Sequence, residues 1–103
     1  MPRGDWPFDQ PRNCATLSQR SIVFEGAPIL LVVHDPDDHG WQFLGGGELR
    51  EADACVIALE EAFALDPSIL ELADLPPGWR ASRGSRMDQW QRAPMPPRSA
   101  RNG

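Results

Sequence analysis

The sequence predicts an α+β fold, a small and mainly antiparallel β-sheet with one or two short helices between disordered termini. Three observations carry that prediction. Short β-branched and aromatic runs separated by turn formers occupy residues 14–44, and a stretch with helical spacing follows at 49–65. Many of the eleven prolines and nine glycines lie near the chain ends, where they break regular structure. A chain of 103 residues with 41% hydrophobic content can build one modest core. The expected organisation is a flexible N-terminal segment at 1–12, a single domain at 13–83, and a basic, proline-rich, disordered tail at 84–103.

Taken in order, "CATLSQRSIVF" suits strands better than a helix, because Ile22, Val23 and Phe24 are β-branched or aromatic. Glu25, Gly26, Ala27 and Pro28 supply a break, and "ILLVVH" at 29–34 then reads as a strand. Its apolar residues are consecutive rather than alternating, so it is expected to be central and covered on both faces. "DPDDHG" is rich in turn formers, and "WQFL" at 41–44 resumes the strand pattern, which together make a hairpin with a long loop. Trp41 and Phe43 share one face of that strand, and core packing is the expectation for them. The glycines at 45–47 lack the spacing and the following Lys-Ser/Thr pair of a phosphate loop, and so read as a turn.

Leu49, Ala52, Cys55, Val56, Leu59, Ala62 and Phe63 fit one amphipathic helix over 49–65. "CVIAL" fits equally well a strand at 54–58 with a helix beginning at Leu59, and periodicity leaves both open. Asp66 and Pro67 make an N-cap and first-turn pair for a short helix through "SILELA". "LPPGW" ends it, and "WRASR" at 79–83 is expected as a last, edge strand. "MDQW" adds at most a turn of helix.

Residues 1–79 hold four arginines against fourteen carboxylates, whereas residues 80–103 hold six arginines against Asp88 alone. An acidic body repels nucleic acid and anionic lipid and attracts basic protein surfaces. The longest apolar run, Ala27 to Val33, is too short to cross a bilayer, and the first residues lack the apolar stretch of a secretory leader. A cytoplasmic protein is the expectation, with no membrane and no nucleic-acid partner. Cys14 and Cys55 then read as small buried residues rather than a bridge.

The stretch "HDPDDHG" concentrates ligands, so metal binding has to be tested there. Asp35, Asp37 and His39 stand at positions one, three and five of a calcium loop, with Gly40 at six. The twelfth position is Gly46, where the bidentate carboxylate belongs, and a strand follows instead of a helix. For zinc, His34 and His39 lack third and fourth ligands at local spacing. No serine or cysteine sits in a nucleophile elbow. These residues imply no metal, no cofactor and no complete catalytic constellation.

The order of motifs does resemble a known family. A strand ending in an acidic turn leads to Gly40, Trp41 and Phe43 and the glycine turn from Gly45. An apolar strand leading into a short helix, then Asp66, Pro67, Ser68 and Ile69, then a closing Leu75, Pro76, Pro77, Gly78 and Trp79 complete the series. Over residues 14–83 this resembles the bacterial immunity protein 33 family. The resemblance implies an α+β fold, favours a strand at 55–58, and implies a protein that neutralises a toxin domain by binding it.

The expected function is therefore a noncatalytic acidic binding protein, and the resemblance makes a basic toxin domain the partner. The contact residues expected are Asp35, Asp37 and Asp38 of the turn, Glu60 and Glu61 of the helical region, and Trp41. Two alternatives stay open: a metal- or small-molecule-binding enzyme using the 34–39 turn, and a regulatory domain without a toxin partner.

Overall fold

The computed structural model describes residues 6–47 and 49–96. They form an α+β domain built on a six-stranded mixed sheet. Its elements are β1 (Ala15–Gln19), α1 (Arg20–Glu25), β2 (Leu31–His34), β3 (Trp41–Leu44), β4 (Ala54–Ala58), α2 (Leu59–Leu65), β5 (Trp79–Ser82) and β6 (Gln91–Pro94). Two 3-10 helices, Glu51–Asp53 and Pro67–Leu72, complete the chain order. The strands lie in the order β4-β1-β3-β2-β5-β6, and every neighbouring pair is antiparallel except β1 with β3.

Strand register fixes which side chains meet the helices. Val32 lies beside Phe43 and Ala81, and Thr16 lies beside Ile57. These residues join Ile22 of α1, Leu59 and Ala62 of α2, and Ile69 and Leu72 of the second 3-10 helix in one core. The described helices thus pack on one face of the sheet. That arrangement corrects the expectation that the strand at 29–34 is covered on both sides. Val32 and His34 are buried, whereas Leu31 and Val33, on the other face, are only half-buried.

Of the two readings left open at 49–65, the strand-plus-helix form is the one adopted. Ala54–Ala58 pairs along β1, and the chain turns into α2 at Leu59. Ala58 has no capping side chain, so the first turn of α2 is closed from within by the Glu61 carboxylate, which accepts from Ala58 N–H at 2.7 Å. Strand propensity at Ile22–Phe24 is overridden. Gly26, left-handed at φ 76°, ends α1, and Ala27 N–H donates to Ser21 O at 3.0 Å. Folding the segment as a helix buries Ile22 while leaving Phe24 69% exposed.

Both chain-end expectations need revision. Within the N-terminal segment, Phe8 is buried against Trp41, Trp6 packs on Phe8 and Phe63, and Arg12 lies over the Trp6 ring. Residues 1–5 lie outside the described residues. At the other end, "WRASR" is not an edge, because β6 pairs along the free side of β5 inside the expected tail. Three contacts hold β6 there. Trp90 stacks on the Arg83 guanidinium at 4.0 Å, Met95 N–H donates to Gly78 O, and Arg92 bonds both Glu71 O and the Asp74 carboxylate. Residues 97–103 of the expected tail are likewise outside the described residues.

Asp66 caps the second 3-10 helix as its sequence predicts, accepting from Ser68 N–H at 3.0 Å with Pro67 following. Its second oxygen meets buried Arg83 at 2.5 Å. Arg83 also donates to Ile29 O, to Ser68 Oγ and to Arg86 O, so its charge is fully engaged. Burial raises the Asp66 carboxyl, but hydrogen bonds from Ser68 and the Arg83 guanidinium outweigh it and hold the group below the usual carboxylate range.

Candidate functional site

The acidic turn builds itself from its own carboxylates. Asp35 N–H donates to Gly40 O at 2.8 Å, which closes the loop. Asp35 Oδ1 accepts from Asp37 N–H, and Asp38 Oδ1 accepts from Gly40 N–H, each at 2.8 Å. His39 supplies the left-handed residue at φ 58°. A Cβ on Gly40 would stand 3.0 Å from Asp38 Oδ1, so glycine is what lets the turn close on that carboxylate. Asp37 and Asp38 are exposed and Asp35 is half-buried, and all three take part in local interactions rather than standing as bare charges.

Behind the turn, the aromatic strand is core. Trp41 is 2% exposed and stacks between His34 and Phe43. Its indole N–H donates to Gln10 Oε1 at 2.9 Å. The expectation of Trp41 as a contact residue is thereby corrected: the period of two that puts Trp41 and Phe43 on one face puts that face under the helices. His34 is buried as well, with Nδ1 2.6 Å from Leu75 O and Nε2 without a partner. The His34 and His39 rings stand 6.3 Å apart. Among the described residues, no group of three or more His, Cys, Asp or Glu side chains is placed to hold a metal ion.

Glu60 and Glu61 begin α2, directly after β4. Because β1 and β3 start, and β2 and β4 finish, at the same end of the sheet, the 35–38 turn and these two glutamates share that end. Two to three strand spacings, roughly 10–15 Å, lie between them. Five of the six expected contact residues therefore gather at one end, Glu61 partly committed to the start of its own helix.

The feature that sequence reading missed lies on the sheet face opposite the helices. Register places Val56, Leu17, Gln42, Val33, Arg80 and Ala93 side by side in one row across all six strands, with Leu31 in the adjoining row. Val56 is 69% exposed, and Leu17, Leu31 and Val33 are half-buried. β1 is inverted relative to an ordinary half-buried strand. Its polar Thr16 and Ser18 are buried, satisfied by Ile57 O and Phe43 O, while Leu17 faces away from the core. Where this face meets the acidic turn there is a shallow cavity of about 320 Å³, lined by Ala15, Leu17, Asp35, Asp38, Gln42 and Val56 among others.

Cys14 and Cys55 are free and half-exposed rather than buried. Loss of water around the Cys55 thiol pushes its pKa up, with Arg20 opposing and Asp53 adding to the rise. Among the described residues, no helix is long and apolar enough to cross a membrane. No protein-family model, curated protein or solved structure matches the chain.

Proposed function

We propose that the protein is a noncatalytic binding protein whose contact surface is the uncovered sheet face together with the acidic turn at its end. One observation carries this reading: Leu17, Val33 and Val56 share a row directed away from the helices, and the Asp35 and Asp38 carboxylates border the cavity at its edge. An apolar centre with an acidic rim suits a partner with an apolar patch inside a basic rim. A toxin domain blocked by its immunity protein is the partner that the sequence resemblance implies, and it fits that chemistry.

Coexpression with basic toxin domains encoded beside this protein tests the proposal. The expected result is rescue of growth and a copurifying complex, weakened by Leu17→Asp and by Asp38→Lys and weakened further by salt. Absence of both rescue and complex with every neighbouring candidate rejects the toxin partner. A complex indifferent to both substitutions rejects the surface.

A further inference from the structure

At the end of the sheet away from the acidic turn, two arginines border one cavity. β1 finishes at Gln19, which pairs with Ala54 at the start of β4. The chain continues from Gln19 into Arg20, and Ala54 is reached from Arg50 through the first 3-10 helix, so both arginines lie at that end. The cavity has a volume of about 490 Å³ and is lined by Arg20, Arg50, Ala52 and Asp53. A strand length of roughly 15 Å separates it from the turn at 35–38, beyond the Debye length at physiological salt, so the turn carboxylates do not neutralise it.

Neither guanidinium is used up inside the fold. Among the described residues, the ion pairs join Arg83 to Asp66 and Arg92 to Asp74, and Arg20 and Arg50 take part in none. Arg20 lies over the Phe24 ring at 5.2 Å, a contact that occupies none of its five N–H donors. The chain carries fifteen carboxylates for ten arginines, yet here two like charges face one cavity, an arrangement their mutual repulsion disfavours unless an anion lies between them. Asp53, on the same wall, is turned toward β1 and α1: its Oδ2 accepts from Gln19 Nε2 at 3.1 Å and from Ser21 Oγ at 3.4 Å. Its Oδ1 is left to accept from a ligand.

We propose that this cavity binds a small hydroxylated phosphate ester of the sugar-phosphate class, with Arg20 and Arg50 on the phosphate and Asp53 Oδ1 accepting from a ligand hydroxyl. A phosphate dianion offsets both guanidiniums and accepts paired N–H donors from them. Asp53 opposes a bare anion and favours a ligand that also brings a donor. The net charge of −5 favours a small ligand over a polyanion, whose further phosphates would meet the surrounding carboxylates, Glu51 among them. Phe24 is a positioning residue. It is 69% exposed, and its ring holds Arg20 at the rim of the cavity.

Amide NMR titration of the full chain tests this, at about pH 8 so that phosphate monoesters are dianions, with ionic strength held constant by sodium chloride. Glucose 6-phosphate is expected to give saturable shifts at Arg20, Ala52 and Asp53, with a dissociation constant on the order of 1 mM. Methyl phosphate, which has the same dianion and no hydroxyl, is expected to bind about tenfold more weakly, and glucose alone to cause no shift. Arg20→Gln and Arg50→Gln, both at exposed positions, are each expected to weaken glucose 6-phosphate by about tenfold with an unchanged circular dichroism spectrum. Asp53→Asn is expected to narrow the preference for glucose 6-phosphate over methyl phosphate. Phe24→Ala is expected to weaken binding about threefold, and Phe24→Tyr, which keeps a ring under Arg20, to restore it. No saturable shift with glucose 6-phosphate up to about 20 mM, equal affinity for methyl phosphate, or binding indifferent to both arginine substitutions overturns the proposal.

Discussion

His34 lies flat on Trp41, their rings 13° from parallel with centroids 4.0 Å apart, and its Nδ1 is 2.6 Å from the Leu75 carbonyl. A carbonyl only accepts, so Nδ1 carries the proton and the imidazole is held as one tautomer. His34, one of the ligand-type residues clustered at 34–39, thus ties the end of β2 to the segment after the second 3-10 helix.

His34→Ala removes that hydrogen bond and the stacked ring together. The expected loss is about 2–4 kcal/mol of stability, with the melting temperature falling by roughly 10–25 °C. Urea unfolding of the variant measures it directly. A loss below about 0.5 kcal/mol, the level of an ordinary surface change, would return His34 to consideration as a functional rather than a packing residue.

Asp66 and Arg83 predict how the fold responds to acid. A carboxyl held below its ordinary value near 3.9 contributes stability that is fully present above that value and is lost as pH falls through the lower folded value. Asp66→Asn leaves the buried Arg83 guanidinium without its counter-charge, at an expected cost of about 3–5 kcal/mol near neutral pH. The same variant should show a flatter stability profile below about pH 4. Denaturant midpoints collected from pH 7 down to pH 2 test both parts. A profile for the variant as steep as the native one would remove Asp66 as a contributor to acid unfolding.

Much of this architecture was legible in local chemistry. The acidic turn, the strand at 41–44, the glycine turn and the Asp66-Pro67 start of the second 3-10 helix each depend on residues within a few positions, and each forms where its residues indicate. What sequence did not disclose depends on contacts between distant segments. β6 exists because Arg92 finds Glu71 and Asp74, and because Trp90 finds Arg83 and Ser68. None of these pairings leaves a periodic trace. The uncovered sheet face is hidden for the same reason, since Leu17 and Val33 become neighbours of Gln42 only when β1 and β2 are laid on either side of β3. The inversion at Thr16, Leu17 and Ser18 was the one local hint, and its meaning needed the register.

Parity along β5 makes the contribution of β6 separable from that of the rest of the sheet. Arg83 N–H is directed to Leu30 O, so Ala81 bonds toward β2, whereas Arg80 and Ser82 bond toward β6. Deleting residues 91–103 should therefore strip hydrogen-exchange protection from the Arg80 and Ser82 amides while Ala81 remains protected. Exchange read residue by residue by NMR distinguishes this from general loosening, in which all three amides lose protection together. Trp90→Ala in the full chain removes the ring over Arg83 without removing the strand, and is expected to cost about 1–3 kcal/mol.

Neighbouring positions on β1 test whether the uncovered face belongs to binding or to folding. Ser18 is fully buried and bonds Phe43 O, so Ser18→Leu forces a larger side chain into a filled space and removes a satisfied donor; about 2–4 kcal/mol is the expected loss. Leu17 is directed away from the core on the same strand. Leu17→Thr keeps strand propensity and should change stability by less than about 1 kcal/mol, against the usual expectation that losing a leucine costs more than gaining one. Paired thermal and urea unfolding of the two variants decides between the roles. If Leu17→Thr destabilises as strongly as a core truncation, about 3 kcal/mol or more, the face is already covered within the native chain and is not available to a partner. If the order holds, Leu17 is dispensable for folding, as the proposed contact surface requires.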